Sequence, residues 1–168
     1  MLNLNLHWVT GIDPHRIALT PCPLGRSSLP DQIAGWRANG VDSVVSLLET
    51  HEAKLRGVEN EGRECESRGI HFRSFPIPDH GTPESQRELT DLVESLHSDL
   101  FRGKTLLIHC FAAIGRTGIV AACLLHILKI PEGEIFHLLR TSRGFDMPGT
   151  SKQVEWVKKY IRDCSPAL

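Results

Sequence analysis

Apolar and polar positions alternate between two periods along this chain. Leu2, Leu4, Leu6 and Trp8 alternate with polar neighbours, the pattern of a half-buried strand, and Thr10 to Pro14 reads as a turn. A second strand is expected over Arg16 to Thr20, followed by irregular backbone through Pro21-Cys22-Pro23-Leu24-Gly25. Ser28-Leu29-Pro30-Asp31 opens a helix with a cap candidate and an early proline, and Asn39-Gly40 stops it. Val41, Val44, Val45, Leu47 and Leu48 crowd apolar residues onto both faces of one strand, which predicts burial on both sides. Polar helical segments over 52–56 and 58–68 end at Gly69, and Ile70 to Ile77 alternates as a strand. Pro78 to Pro83 is a proline-bounded loop. From Pro83-Glu84 to about Phe101, Leu89, Leu92, Val93, Leu96 and Leu100 mark one face of a long amphipathic helix. Leu106 to Ile108 is a short buried strand, and Ile119 to Leu128 an apolar helix. A helix from Pro131 to Arg143-Gly144, a turn over Phe145 to Gly149 and a final helix from Thr150 complete the chain. Strands alternating with helices predict one α/β domain over 1–168: a central, mostly parallel twisted sheet with helices on both faces.

The chemistry concentrates between the strand at 106–108 and the helix that follows it. A strand, a tight loop and a helix N-terminus make an anion site, because free backbone N–H groups and the helix dipole favour negative charge. His109-Cys110 sits at the mouth of that loop, where an anion site favours thiolate, the nucleophilic form of cysteine. Arg116, six positions on, can grip two phosphate oxygens with its planar guanidinium. The pair Cys110 and Arg116 is weak by spacing alone; His109, Gly115, Thr117 and the flanking apolar elements turn it into a phosphate-binding loop with a cysteine nucleophile.

Composition narrows the alternatives. Nineteen basic against 20 acidic side chains mark no nucleic-acid or anionic-membrane surface. Five cysteines, an odd number with no paired metal-ligand spacing, suit a reducing, cytoplasmic setting, and no metal site is expected. The first residues lack the basic flank and apolar run of a signal peptide, and the apolar stretch at 119–130 is too short to span a bilayer.

The run His109-Cys110-x-Ala112-x-Ile114-Gly115-Arg116-Thr117-Gly118 resembles the signature loop of the cysteine-dependent protein tyrosine phosphatases, with Ala113 where that family has glycine. The short chain is similar to the compact dual-specificity branch, including the cyclin-dependent-kinase-associated phosphatases. The resemblance implies phosphate contacts from Phe111, Ala112, Ala113, Ile114, Gly115 and Arg116. Ile77-Pro78-Asp79-His80-Gly81-Thr82-Pro83 resembles the family's acid loop, with Ile77 in place of tryptophan, and Asp79 takes the role of proton donor; on residue type alone it would cap the next helix. Thr150-x-x-Gln153-x-x-Trp156 resembles the family's glutamine loop, in which the amide positions the hydrolytic water. Thr117 can donate a hydrogen bond to the cysteine sulfur, and His109 is expected to orient the loop from beneath.

These residues imply hydrolysis of phosphotyrosine, extending to phosphoserine and phosphothreonine, in a phosphorylated protein or peptide, without cofactor. With no basic residue within 111–115, a phosphoinositide substrate ranks behind a phosphoprotein. A phosphate-recognising module with little turnover, suggested by Ala113, does not need Asp79 and Gln153. A rhodanese-like sulfurtransferase needs neither of them either.

Overall fold

The computed structural model describes residues 4–164. Its strands are β1 (His7–Trp8), β2 (Arg16–Thr20), β3 (Ser43–Ser46), β4 (His71–Ser74) and β5 (Thr105–His109). Its helices are α1 (Leu29–Ala38), α2 (Thr50–Arg56), α3 (Glu61–Glu66), α4 (Gln86–Phe101), α5 (Gly115–Ile127), α6 (Glu132–Arg143) and α7 (Ser151–Cys164). The strands form one sheet in the order β1-β2-β5-β3-β4, parallel except for β1, which runs antiparallel beside β2. The expected α/β architecture is therefore present, with β5 at its centre.

Burial follows from that order. All of β5 and β3 is buried, because both strands are covered above and below. Ile17, Leu19, Val45, Leu106 and Ile108 point into the larger core with α4, α5, α6 and α7. Their alternates Ala18, Val44 and Leu107 point into a smaller core with Leu29, Ile33 and Trp36 of α1 and Cys65 of α3. Helix α5 is buried over Arg116–Leu125, which explains why its sequence is apolar all round rather than on one stripe.

Several element limits differ from the sequence expectation. Strand β1 covers only His7–Trp8, with Leu4 and Leu6 packed against the smaller core; Leu2 lies outside the described residues. Ser28 makes no side-chain cap, since 26–28 is a 3-10 turn leading into α1. Helix α2 starts at Thr50 because Glu49 and Glu52 form a reciprocal capping box. Strand β4 is a short, partly exposed edge. Helix α5 begins at Gly115, four residues before the apolar run, so Arg116 and Thr117 stand in its first turn.

The register decides what lies near Cys110. Thr20 and Ser46 both pair with His109, so three parallel strands end level, and the loops leaving them lie side by side. Leu47 N–H donates to the His109 carbonyl at 3.0 Å, and Cys22 N–H donates to the Phe111 carbonyl at 3.0 Å. The carboxyl end of a central parallel strand is where such sheets place ligands.

Candidate active site

A pocket of about 480 Å³ opens at the end of β5, and Asp79, Cys110, Ile114, Arg116 and Gln153 are among its walls. Residues 74 positions apart in sequence, Asp79 and Gln153, are thus brought to one cavity, as are all six loop residues except buried Ala113.

Cys110 stands at the base. Thr117, one turn into α5, donates its hydroxyl to Cys110 Sγ at 3.0 Å. Behind it, His109 is fully buried, and its Nε2 lies 2.7 Å from Glu61 Oε1 on α3. Glu61, itself buried, fixes the imidazole that the sequence placed beneath the loop; in sequence it looked like an ordinary first-turn acid of a polar helix. Cys65 and Cys123 are also buried, and burial pushes both thiols up, so these are inert packing groups.

The loop carbonyls show how its amides are aimed. The Phe111 carbonyl accepts from Cys22 N–H, and the Ala112 carbonyl accepts from Arg143 Nη2 at 3.0 Å. Neither partner lines the pocket. In a trans peptide the N–H points opposite to the C=O, so the N–H groups of Ala112 and Ala113 turn toward the pocket side. Ala113 reaches this geometry at φ +56, in the left-handed region where glycine is the easy choice.

Arg116 is 2 % exposed and already partnered. Glu52 takes both Nη atoms, Oε2 with Nη1 at 2.6 Å and Oε1 with Nη2 at 2.9 Å, and the Ile77 carbonyl accepts from Nη1 at 3.1 Å. Asp79 Oδ1 lies 3.2 Å from Nη2. Both Nη groups of the guanidinium therefore already have partners, Nη1 in Glu52 and the Ile77 carbonyl and Nη2 in Glu52 and Asp79. Burial lowers the Arg116 guanidinium's proton affinity, but the Glu52 hydrogen bonds and the Cys110 charge outweigh it and raise the net value. Burial likewise pushes the Glu52 carboxyl up, and the bonds from Arg116 and Glu49 N–H hold it below the usual range. Glu52 is the second residue that sequence reading missed. Its only local signal is the capping box with Glu49.

Asp79 is half-exposed on the loop between β4 and α4, with His80 N–H donating to its Oδ1 at 3.0 Å. Ile77, replacing the family tryptophan, is fully buried and donates its N–H to the Leu47 carbonyl at 3.2 Å, which anchors the loop's start. Gln153, fully buried on α7, donates Nε2 to the Gly81 carbonyl at 2.9 Å and leaves Oε1 without a partner. It packs so tightly on Gly115 that a Cβ there would lie 2.9 Å from the amide and displace it. The two aspartates of α4 differ from Asp79 as candidate acids: Asp99 is buried between Arg73 and Lys104, and Asp91 lies by Ser74 and Glu88, away from Cys110.

Residues 22–128 match the family described as "Tc-R-P: Polymorphic toxin system, DSP-PTPase phosphatase". The chain is 30% identical over 126 residues to rat cyclin-dependent kinase inhibitor 3, covering 74% of this chain and 59% of that protein; it thus spans under two thirds of that relative's length. The crystal structure of a kinase associated phosphatase, with its catalytic cysteine replaced by serine, superposes with a TM-score of 0.88 at 22% identity, over 100% of this chain and 99% of the other. The active form of Tk-PTP superposes with a TM-score of 0.76 at 26% identity, over 95% and 98%.

Proposed function

The chain belongs to the DSP-PTPase family of cysteine-dependent phosphatases, and on that premise we propose that it hydrolyses phosphotyrosine, and also phosphoserine and phosphothreonine, in phosphorylated proteins. The observation that carries this reading is the meeting of Cys110, Arg116 and Asp79 in one cavity, with the Thr117 hydroxyl on Cys110 Sγ from behind.

In the first step Cys110 Sγ attacks phosphorus, the S–P bond forms, and the bond to the leaving oxygen breaks. Asp79, in its acid form, gives its proton to that oxygen. Binding of the phosphate to Nε and Nη2 of Arg116 displaces Asp79 from Nη2, so the substrate itself frees the proton donor. Arg116 and the inward amides of the loop meet the charge on the equatorial oxygens, which is the main source of rate. In the second step water attacks phosphorus, Asp79 takes its proton, and the S–P bond breaks. Thr117 stabilises the departing thiolate, and the free Oε1 of Gln153 is suited to hold the attacking water. Arg116 and the amides meet the phosphate charge by themselves, so the mechanism uses no metal or cofactor.

We read the whole chain, 1–168, as one catalytic domain in a cytoplasmic setting; its free cysteines and the absence, among described residues, of a helix long and apolar enough to cross a membrane are compatible with that. The test is release of phosphate from para-nitrophenyl phosphate in the presence of a chelator. The expected result is turnover that vanadate inhibits; no turnover, with phosphopeptides still bound, would replace the enzyme by a recognition module.

A further inference from the structure

One guanidinium at the pocket mouth has no part in the reaction above. Phe111, the residue after the nucleophile, lines the pocket and is 47% exposed. Arg56, the last residue of α2, lies over its ring, with Cζ 4.8 Å from the centroid. The backbone fixes this position: Gly57 ends the helix at φ +69, and its carbonyl accepts from Arg26 N–H at 2.7 Å. Arg56 also lies beside Cys22, whose Sγ is 3.5 Å from the Pro23 carbonyl. Burial pushes that thiol up to about 11 against the pull of Arg56, so its sulfur stays neutral.

Both groups that hold Arg56 are therefore uncharged. Arg116, deep in the pocket, is paired with Glu52, whereas Arg56, like several other arginines among the described residues, makes no ion pair with a carboxylate. A guanidinium stacked on a ring keeps its in-plane N–H edges free for a two-pronged partner. Its surroundings are partly apolar, with the Phe111 ring beneath it. That mixture suits an extended peptide better than a headgroup charged on every side. Arg143, on the far side of the loop, is committed to the Ala112 carbonyl and stacked on Phe145.

We propose that the Arg56–Phe111 shelf is a second anion subsite, which binds an acidic side chain close to the phosphorylated residue of a peptide substrate. This deepens the phosphatase reading and rests on it. It also supplies by tertiary contact the basic group that the loop sequence lacks.

The experiment measures binding of phosphotyrosyl peptides to the Cys110→Ser protein by calorimetry, so that turnover does not enter. Peptides carry Asp, Asn or Lys at each position from two before to two after the phosphotyrosine. At one position Asp should bind about five- to twentyfold more tightly than Asn, the scale of one charge-assisted contact. In Arg56→Gln that ratio should fall to about one, and in Arg56→Glu the preference should invert toward Lys. Ratios near one at every position, no measurable peptide binding, or a preference that survives Arg56→Gln would overturn the proposal. So would an Arg56 dependence seen only with a soluble inositol phosphate, which would assign the shelf to a headgroup. Failure of the phosphatase reading registers separately, as absent turnover of para-nitrophenyl phosphate by the parent protein.

Discussion

The phosphate loop and the acid loop face each other across one pocket and are built in opposite ways. The first is a seven-residue stretch, Cys110 to Arg116, tied to a fully buried strand at one end and a buried helix at the other. The second, Pro78 to Pro83, has no regular structure. It is held by contacts from distant elements: Ile77 to Leu47, Asp79 to Arg116, and Gly81 to Gln153. Charge that develops on the phosphoryl group needs donors fixed beforehand, because reorienting them during the reaction would cost part of the stabilisation. In the proposed mechanism a proton donor must instead reach leaving oxygens that differ between substrates, which suits backbone with fewer constraints. Arg116 joins the two loops. Its Nη2 is shared by Glu52 and Asp79, so on the proposed mechanism an anion bound in one loop would change the contacts of the other.

The comparison breaks most sharply if the rigid loop proves dispensable. Cys110→Ser should abolish turnover while phosphopeptide binding persists; activity within tenfold of the parent would remove the covalent mechanism. Arg116→Lys should lower kcat at least about a hundredfold, since a point charge cannot serve Glu52 and phosphate together. Near-normal kinetics there would reduce Arg116 to a support.

Next in size is the acid loop. Asp79→Asn should cut kcat on phosphopeptides by about 10² to 10³ and remove the basic limb of the pH–rate profile. The loss should be smaller on para-nitrophenyl phosphate, whose leaving group needs less help from a proton. A basic limb that persists in Asp79→Asn would mean the proton comes from another residue.

The link between the loops gives a smaller effect. Glu52→Gln keeps the shape but removes the charge facing Arg116, and kcat/KM should fall about tenfold as the guanidinium loses its fixed orientation. Glu52 also carries a signature in stability. Its folded carboxyl titrates below its ordinary value of 4.5, so its contribution is present above that pH and is lost as pH falls through the lowered value. Thermal melts of parent and Glu52→Gln should therefore converge toward acid pH; a constant gap would show that the ion pair contributes nothing to folding.

The smallest change tests how rigid the phosphate loop is. Alanine at φ +56 costs about 1 kcal/mol relative to glycine, and the Arg143 bond to the Ala112 carbonyl opposes relaxation of that peptide. Ala113→Gly should raise kcat/KM several-fold and leave the loop's course unchanged in a crystal. Unchanged kinetics would mean that Arg143 already holds the loop fully in place.

What the chain's sequence determined was whatever a short stretch decides for itself. Strand β5, the Cys110 loop and α5 are contiguous, and their apolar run, anion loop and helix start all lie within about two dozen positions. Periodicity likewise located α4 and the doubly buried β3, whereas the positive φ at Ala113 is decided by the folded loop, since alanine as a residue type does not call for it. Tertiary structure alone chose the partners. Glu52 and Glu61 read in sequence as polar helix residues. They face Arg116 and His109 only because the parallel register ends β2, β3 and β5 level and turns the α2 and α3 segment back over that end. Arg56 and Arg143 reach the phosphate loop in the same way, from 54 and 31 positions away from Cys110 and Ala112. A buried charge takes its partner from whatever chain folds against it, and such pairing depends on register and burial rather than on spacing along the sequence.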